Sequence, residues 1–196
     1  MSGAAGLLNH PWIARRRLDV TEYERMGAAG ILHEDDRVEL IEGELIAMAP
    51  IGDRHAGTSM SLNMILTRAV GDRAIVSVGN PVRLDAYNEP QPDFALLRPK
   101  PGGYLGGKPR PEDVLLLIEL SDSTLRFDRI VKLPLYGAHG IREFWILNLG
   151  QRQVEVCRKP GAAGGYASVE AHGPDSVLEP EALPGLRLRV ADIVPG

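Results

Sequence analysis

Two acidic residues lie at the ends of strand-like segments. Glu119 comes near the end of Val114-Leu-Leu-Leu-Ile-Glu-Leu, where an ionised carboxylate is costly unless it is paired or bound to a cation. Asp93 follows Pro92 at the start of another strand-like run. Hard cations such as Mg²⁺ are held by one or two carboxylates together with water and substrate phosphate. If the two strands are neighbours, the pair predicts a divalent-metal site that activates water against a phosphodiester.

Lys132 is the third candidate for chemistry, because it follows the Glu119 strand on a predicted helix. An ammonium pointing back at the metal site would stabilise charge that develops on a phosphoryl group. Each candidate also has a simpler explanation. Glu119 can emerge into solvent where its strand ends, Asp93 can be an ordinary turn residue after proline, and Lys132 can be an exposed lysine that pairs with Asp128.

The elements that position these residues follow from the pattern of apolar residues. A short helix is predicted from Leu18, with Thr21 and Glu24 at the spacing of a capping box. Residues 37–48 have the pattern of a β-hairpin that turns near Gly43. Residues 50–57 are predicted to be a loop.

Further helices and strands are predicted along the rest of the chain. An apolar stripe at residues 62–69 predicts a helix that ends at Gly71, and a second helix is expected at 121–139 with a kink at Pro134. The Pro- and Gly-rich segment 98–111 is a surface loop. The predicted strands are residues 74–78, 81–85, 92–97, 114–120, 143–149, 153–158 and 166–170. The 114–120 strand is continuously apolar and therefore belongs at the centre of a sheet, joined to 143–149 by a βαβ-type crossover.

Composition excludes several classes of protein. The 196 residues, 44% hydrophobic and 24% charged, suit one globular domain, expected at residues 18–196 after a flexible arm at residues 1–17. No run is apolar enough to cross a membrane, and the N-terminal order of apolar then basic residues is unlike a signal peptide, so a cytoplasmic protein is expected. The net charge of −4 disfavours non-specific DNA binding by the whole surface. Motifs of P-loop, dinucleotide-binding, serine-hydrolase and zinc proteins are missing from the sequence.

Several motifs in order carry a resemblance to a known family. They are Val38-Glu-Leu-Ile-Glu-Gly-Glu-Leu, Met48-Ala-Pro followed by His55, Gln91-Pro-Asp, Glu119-Leu-Ser-Asp-Ser-Thr, Asp128-Arg-Ile-Val-Lys-Leu-Pro-Leu-Tyr and Gly140-Ile-Arg-Glu-Phe-Trp-Ile. Over roughly residues 18 to 190, this set resembles the Uma family of restriction-endonuclease-like proteins in the PD-(D/E)XK nuclease superfamily.

The resemblance implies an α/β (α+β) fold, with a mixed central β-sheet flanked by helices, an N-terminal helix and a β-hairpin. It implies Asp93 and Glu119 as ligands of Mg²⁺ or Mn²⁺, with Glu39 as an added acidic residue. The superfamily lysine would fall at Ser121, so Lys132 on the following helix takes its place. DNA is the expected partner, and a homodimer is compatible with this fold.

Two functions remain open from the sequence. The first is a metal-dependent endonuclease that hydrolyses DNA with an activated water. The alternative is a catalytically inactive nuclease-fold protein that binds nucleic acid or protein, because a fold alone does not establish an activity. His55 is a candidate for phosphate contact or acid–base chemistry or, equally, a residue that caps or packs. Tyr136 and Trp145 are expected in the core.

Overall fold

The computed structural model describes residues 14–33 and 35–196. The helices are α1 (Val20–Ala28), α2 (Asp53–Val70), α3 (Leu125–Phe127), α4 (Leu133–Ala138) and α5 (Val190–Ile193), and a π-helical turn spans Asp128–Lys132. The strands are β1 (Val38–Ile41), β2 (Glu44–Ala47), β3 (Ile75–Val78), β4 (Phe94–Leu97), β5 (Val114–Ser121), β6 (Glu143–Asn148), β7 (Gln153–Pro160), β8 (Tyr166–His172), β9 (Val177–Leu178) and β10 (Leu188–Arg189).

The main sheet has six strands in the order β3-β4-β5-β6-β7-β8. Only β5 and β6 pair in parallel, and the other neighbours in this sheet are antiparallel. Every residue of β5 is buried, as expected for a continuously apolar strand with neighbours on both sides. The predicted mixed sheet flanked by helices, with β5 near its centre and a crossover to β6, is confirmed.

Side chains of alternating residues in β5 enter two separate cores. Leu116 and Ile118 pack with Leu62 and Leu66 of α2 and with the C-terminal segment. Leu117 lies on the other face, with residues of the β1–β2 hairpin and of α4. Glu119 has the parity of Leu117 and therefore faces the hairpin and α4, so those two elements complete its surroundings.

The N-terminal elements follow the predicted order with one difference in detail. The β1–β2 hairpin turns at Glu42 and Gly43, both with positive φ, as the sequence predicts. The capping box of α1 is formed by Asp19 and Glu22 instead of Thr21 and Glu24. Asp19 accepts the Glu22 N–H at 2.8 Å, since the helix begins two residues earlier than the Thr21 cap would require.

Three other predictions were wrong in their boundaries. The loop expected at 50–57 gives way to α2 at Asp53, because Gly52 serves as the N-cap. Residues 81–85 form no strand, since their N–H groups bond to carbonyls outside the strands, as from Val82 to Pro90 and from Arg83 to Pro109. The helix expected at 121–139 is two short helices around the π-helical turn, with Pro134 in the first turn of α4, where a missing N–H is tolerated.

The predicted N-terminal arm falls mainly on residues 1–13, which lie outside the described residues. The described part contacts the hairpin: Arg17 donates to the Glu42 carbonyl at 2.7 Å, and its guanidinium lies 4.2 Å from the centroid of the Tyr87 ring. None of the described helices combines the length and the apolar character that a membrane crossing requires.

Gly137 in α4 allows the closest backbone approach in the fold. A Cβ at this position would lie 2.0 Å from the carbonyl oxygen of Gly165, which follows β7. We expect Gly137→Ala to lower the free energy of unfolding by about 3 kcal/mol or more, because backbone atoms must move apart. Gly57→Ala is the matched control: it has open space in α2 and should raise stability by about 0.5–1 kcal/mol. Urea denaturation measures both; equal effects would contradict this packing.

Candidate active site

Strand register brings Asp93 and Glu119 together. In the antiparallel β4–β5 pair, Phe94 lies opposite Ile118, so the preceding and following residues, Asp93 and Glu119, face one another. The Asp93 N–H donates to Glu119 Oε2 at 3.2 Å, and the Leu120 N–H donates to Asp93 Oδ2 at 2.7 Å. The two acids, 26 residues apart, thus share one end of the sheet. Each carboxylate accepts a hydrogen bond from a backbone N–H of the opposite segment.

Lys132 reaches the pair from the end of the π-helical turn. Its Nζ donates to Glu119 Oε1 at 2.8 Å and lies 3.4 Å from Glu39 Oε2 of β1. Lys132 and the two glutamates are each less than 5% exposed. The lysine is therefore buried between two carboxylates, and the alternative of an exposed lysine paired with Asp128 is wrong.

Two more contacts orient these carboxylates. The Tyr136 hydroxyl donates to Glu119 Oε1 at 2.9 Å, and the Gln91 N–H donates to Glu39 Oε2 at 3.0 Å. Tyr136 is four residues after Lys132, so both side chains leave the same side of the helical segment. Each glutamate is thus fixed by a neutral donor as well as by Lys132.

Burial and neighbouring charges act against each other on each pKa value in the cluster, and the net shift is upward for Glu119, Asp93 and Lys132. Burial raises the pKa of Glu119 to about 7, even though the Lys132 ammonium opposes this shift. Burial also raises the pKa of Asp93 above its ordinary value. For Lys132 burial alone would lower the pKa, but the charges of Glu119 and Glu39 outweigh it and raise the pKa above the ordinary value. The lysine stays charged, while the acid pair carries excess negative charge that a cation would neutralise.

Asp128 forms a second buried acidic position beside the first. Its Oδ2 accepts hydrogen bonds from Ser121 Oγ at 2.6 Å and from Thr124 Oγ1 at 2.8 Å. Ser121 occupies the position at which the PD-(D/E)XK pattern has a lysine. In this structure the Ser121 hydroxyl donates to Asp128. Burial, reinforced by the charge of Glu119, raises the pKa of Asp128 to about 6.

This raised pKa predicts a pH-dependent cost in stability. A carboxyl whose folded pKa lies above its unfolded value of about 3.8 binds its proton more tightly when folded, so stability falls as pH rises from about 4 to about 6. Asp128→Asn removes this titration while retaining an oxygen acceptor for the two hydroxyls. The variant should gain at most about 3 kcal/mol over the parent at pH 7 and nothing near pH 3. Urea denaturation across pH measures it; a gain independent of pH would contradict the assignment.

His55 approaches Asp93 from the first turn of α2. Its Nε2 lies 3.2 Å from Asp93 Oδ1, and both side chains are partly exposed. Burial lowers the pKa of His55, so the ring is mainly neutral at pH 7. Of the two explanations left open by the sequence, the structure favours a site residue, since His55 contacts one of the two central carboxylates.

These residues line a pocket of ≈ 430 Å³. Its polar side includes Glu39, His55, Asp93, Glu119 and Lys132. Apolar residues also line it, from the segment Ile46 to Ile51 and from Phe127. The central carboxylates are thus accessible from one concave surface, which a small ligand or one segment of a polymer can enter.

The side chains at the pocket determine which metal ion the site could hold. Within residues 14–33 and 35–196, no group of three or more His, Cys, Asp and Glu side chains is arranged to hold a metal ion. A preformed cage of the zinc type is therefore missing there. Asp93 and Glu119 instead supply two hard carboxylates beside open space, which fits Mg²⁺ or Mn²⁺ with water and substrate phosphate as further ligands.

All four residues predicted from the sequence, Asp93, Glu119, Lys132 and Glu39, meet at this pocket. Trp145 is fully buried as expected and donates to Glu143 at 2.8 Å, away from the site. Sequence reasoning missed the Tyr136 hydroxyl as a donor to Glu119. It also missed the hydroxyls of Ser121 and Thr124 as donors to Asp128. The spacing of four residues from Lys132 to Tyr136 and from Thr124 to Asp128 was the available signal.

Comparisons with known proteins agree with the fold. The model of the Uma2 family, described as "Putative restriction endonuclease", matches residues 20–191. Among solved structures, the chain is similar to a crystal structure described as "a putative nuclease belonging to DUF820" from Anabaena variabilis ATCC 29413. The TM-score is 0.68 at 17% identity, covering 90% of this chain and 97% of that one. This likeness supports the fold. No curated protein matches the chain.

Proposed function

The chain belongs to the Uma2 family, and from this premise we propose that it is a metal-dependent endonuclease that hydrolyses phosphodiester bonds in DNA. The observation that carries the proposal is the meeting of Asp93 and Glu119 at one pocket, with Lys132 donating to Glu119. A buried carboxylate beside a partly exposed one, with a fixed ammonium, suits phosphoryl chemistry, in which positioning and charge neutralisation do most of the work.

Asp93 and Glu119 are the proposed ligands of the metal. A divalent cation bound there would polarise a phosphoryl oxygen and lower the pKa of an attacking water. The protein's own part is to hold both carboxylates in place: the Leu120 N–H fixes Asp93, and Tyr136 and the Asp93 N–H fix Glu119. Because these donors come from packed strands and a helix, the site needs little rearrangement to bind a cation.

Lys132 has a second role in this proposal. An ammonium has three N–H donors; one of them donates to Glu119, and Glu39 forms an ion pair with the ammonium at 3.4 Å. The remaining donor is available to a phosphate oxygen in the pocket, where it would stabilise the charge that grows during hydrolysis. Glu39 keeps Lys132 oriented, so it acts as a positioning residue through the lysine.

His55 is available to hydrogen-bond a water molecule, either the one that attacks the phosphodiester or one that contacts the leaving group. Its lowered pKa leaves one ring nitrogen as an acceptor at pH 7, and it contacts Asp93 at the pocket surface. The imidazole can therefore accept a proton from water next to the carboxylates.

A cleavage assay tests the proposed function. Purified protein with Mg²⁺ or Mn²⁺ should nick or cut plasmid or oligonucleotide DNA, and EDTA should stop the reaction. The cleaved ends should carry phosphate and hydroxyl groups, as hydrolysis requires. Protein that is folded yet inert on varied DNA and RNA with both metals would support the binding-module alternative instead.

A further inference from the structure

The candidate active site continues into a second chamber. The ≈ 430 Å³ pocket adjoins another of ≈ 610 Å³, and both are lined by His55 and Asp93. Both volumes fall within the range of about 300–1,000 Å³ typical of sites for drug-sized ligands, the size of a nucleotide. One groove therefore runs past the carboxylates, with room for a nucleotide on each side of Asp93. We call these spaces the inner chamber (≈ 430 Å³) and the outer chamber (≈ 610 Å³).

Apolar side chains line both chambers at exposed positions. Ile51 lines both chambers and is 54% exposed, while Met60 and Val78 line the outer one and are 70% and 39% exposed. The inner chamber adds the partly exposed Phe127 ring. Exposed apolar side chains gathered along one groove indicate a ligand that presents apolar faces.

Charge along the groove is unsuited to tracking a duplex by its phosphates. Among the described residues, seven acidic side chains line the two chambers, and Arg37 and Lys132 are the lysine and arginine side chains there. Arg37 donates to the Ala49 carbonyl at 2.9 Å, and Lys132 is engaged by two glutamates. A duplex carries about twice the phosphate charge of a single strand over the same length, so a groove with few cations disfavours the duplex more.

From this groove we propose that the chain takes single-stranded DNA, with unpaired bases against the apolar walls and the scissile phosphate at Asp93. Bases of a regular duplex are paired and stacked, so their faces cannot reach Phe127 or Met60. Unpaired bases gain affinity by stacking on an aromatic ring such as Phe127 and by contact with apolar side chains, with little dependence on sequence. The proposal rests on the proposed function only for the identity of the bond that is cut.

Binding without turnover tests the groove separately from catalysis. Fluorescence anisotropy in Ca²⁺ would compare binding of a labelled single strand with binding of its blunt duplex. A strand of about 12 nucleotides lies within the range that known single-strand-binding domains cover. We expect the single strand to bind roughly tenfold more tightly. Equal or tighter binding of the duplex would overturn the proposal, whatever the cleavage assay shows.

Paired variants identify the groove. Met60→Glu should weaken single-strand binding roughly fivefold or more, because it removes an apolar contact and adds negative charge beside the phosphates. Met64→Glu is the matched control: it lies one turn along α2, is 49% exposed and lines neither chamber, so its binding should equal that of the parent. Equal losses in the two variants would contradict this path for the strand.

Phe127 supplies the sharpest contrast in the inner chamber. Phe127→Ala should weaken single-strand binding roughly tenfold and leave duplex binding unchanged, while Phe127→Leu keeps the core contact and isolates the aromatic face. Thermal melting checks that both variants fold. If single strands bind preferentially but no DNA is cut with Mg²⁺ or Mn²⁺, the hydrolase fails and the groove stands. If duplex is bound and cut equally well, the groove fails and the hydrolase stands.

Discussion

Asp93→Asn should lower the rate of Mg²⁺-dependent DNA cleavage by roughly 10²- to 10³-fold or more while the protein stays folded. A metal ion contributes several kcal/mol to stabilising charge in a phosphoryl transition state, and about 1.4 kcal/mol corresponds to a tenfold change in rate. The Asn oxygen still accepts from the Leu120 N–H, a bond of 2.7 Å in the parent protein. The change therefore removes a charge and keeps the local geometry.

Metal binding should disappear together with the activity. Mn²⁺ should raise the melting temperature of the parent protein, since a ligand that binds only the folded state stabilises it, and Asp93→Asn should lose this shift. In metal-free buffer the variant should be as stable as the parent protein or more stable, because it relieves the repulsion between the Asp93 and Glu119 carboxylates. Asp113→Asn, next to the other end of β5, removes the same charge far from the pair and should keep both the shift and the rate. A variant of Asp93 that still cuts DNA at the parental rate would contradict the assignment.

Lys132→Met should give the largest loss of stability in the site. Methionine has a similar shape, but it leaves Glu119 and Glu39 buried without their shared cation. Removing one partner of a buried ion pair costs about 3–5 kcal/mol, because the remaining charge is unpaired. We expect this loss in the free energy of unfolding at pH 8, measured with urea, and a smaller loss at pH 5, where protonation relieves Glu119, whose pKa burial raises to about 7.

A double variant separates stability from catalysis at Lys132. Lys132→Met combined with Glu119→Gln should recover part of the lost stability, because only the Glu39 charge is then buried without a cation, yet remain inactive. Lys100→Met changes an exposed lysine and should alter stability by less than about 1 kcal/mol. If Lys132→Met alone unfolds within 1 kcal/mol of the parent protein, the buried ion cluster described here is wrong.

The central sheet was predictable because its strands are strongly patterned. The continuous apolar run of β5 specified a strand covered on both faces, and its carboxylate near the end marked the site. The predictions that were wrong concern segments whose structure depends on individual hydrogen bonds outside the regular strand pairing. Residues 81–85 have the composition of a strand, but their N–H groups bond to the carbonyls of Asn88, Pro90 and Pro109 instead of to a neighbouring strand. The Asp19 cap of α1 was missed because two overlapping capping boxes were available and sequence spacing does not rank them.

The candidate site was predictable in its members but not in its arrangement. Asp93 and Glu119 stood out by strand position, and Lys132 and Glu39 followed from the resemblance to the Uma family. Their burial could not be read from composition, because Lys132 lies on a segment whose π-helical turn changes which side chains face inward. That turn places the ammonium on Glu119 instead of in solvent.

The most direct test of the shared cation is a crystal of the protein soaked in Mn²⁺ and measured at the manganese absorption edge. An anomalous peak within coordination distance, about 2.0–2.3 Å, of carboxylate oxygens from both Asp93 and Glu119 is the expected result. An ordered site with no peak between these two side chains, or manganese bound only elsewhere on the chain, would contradict the central claim.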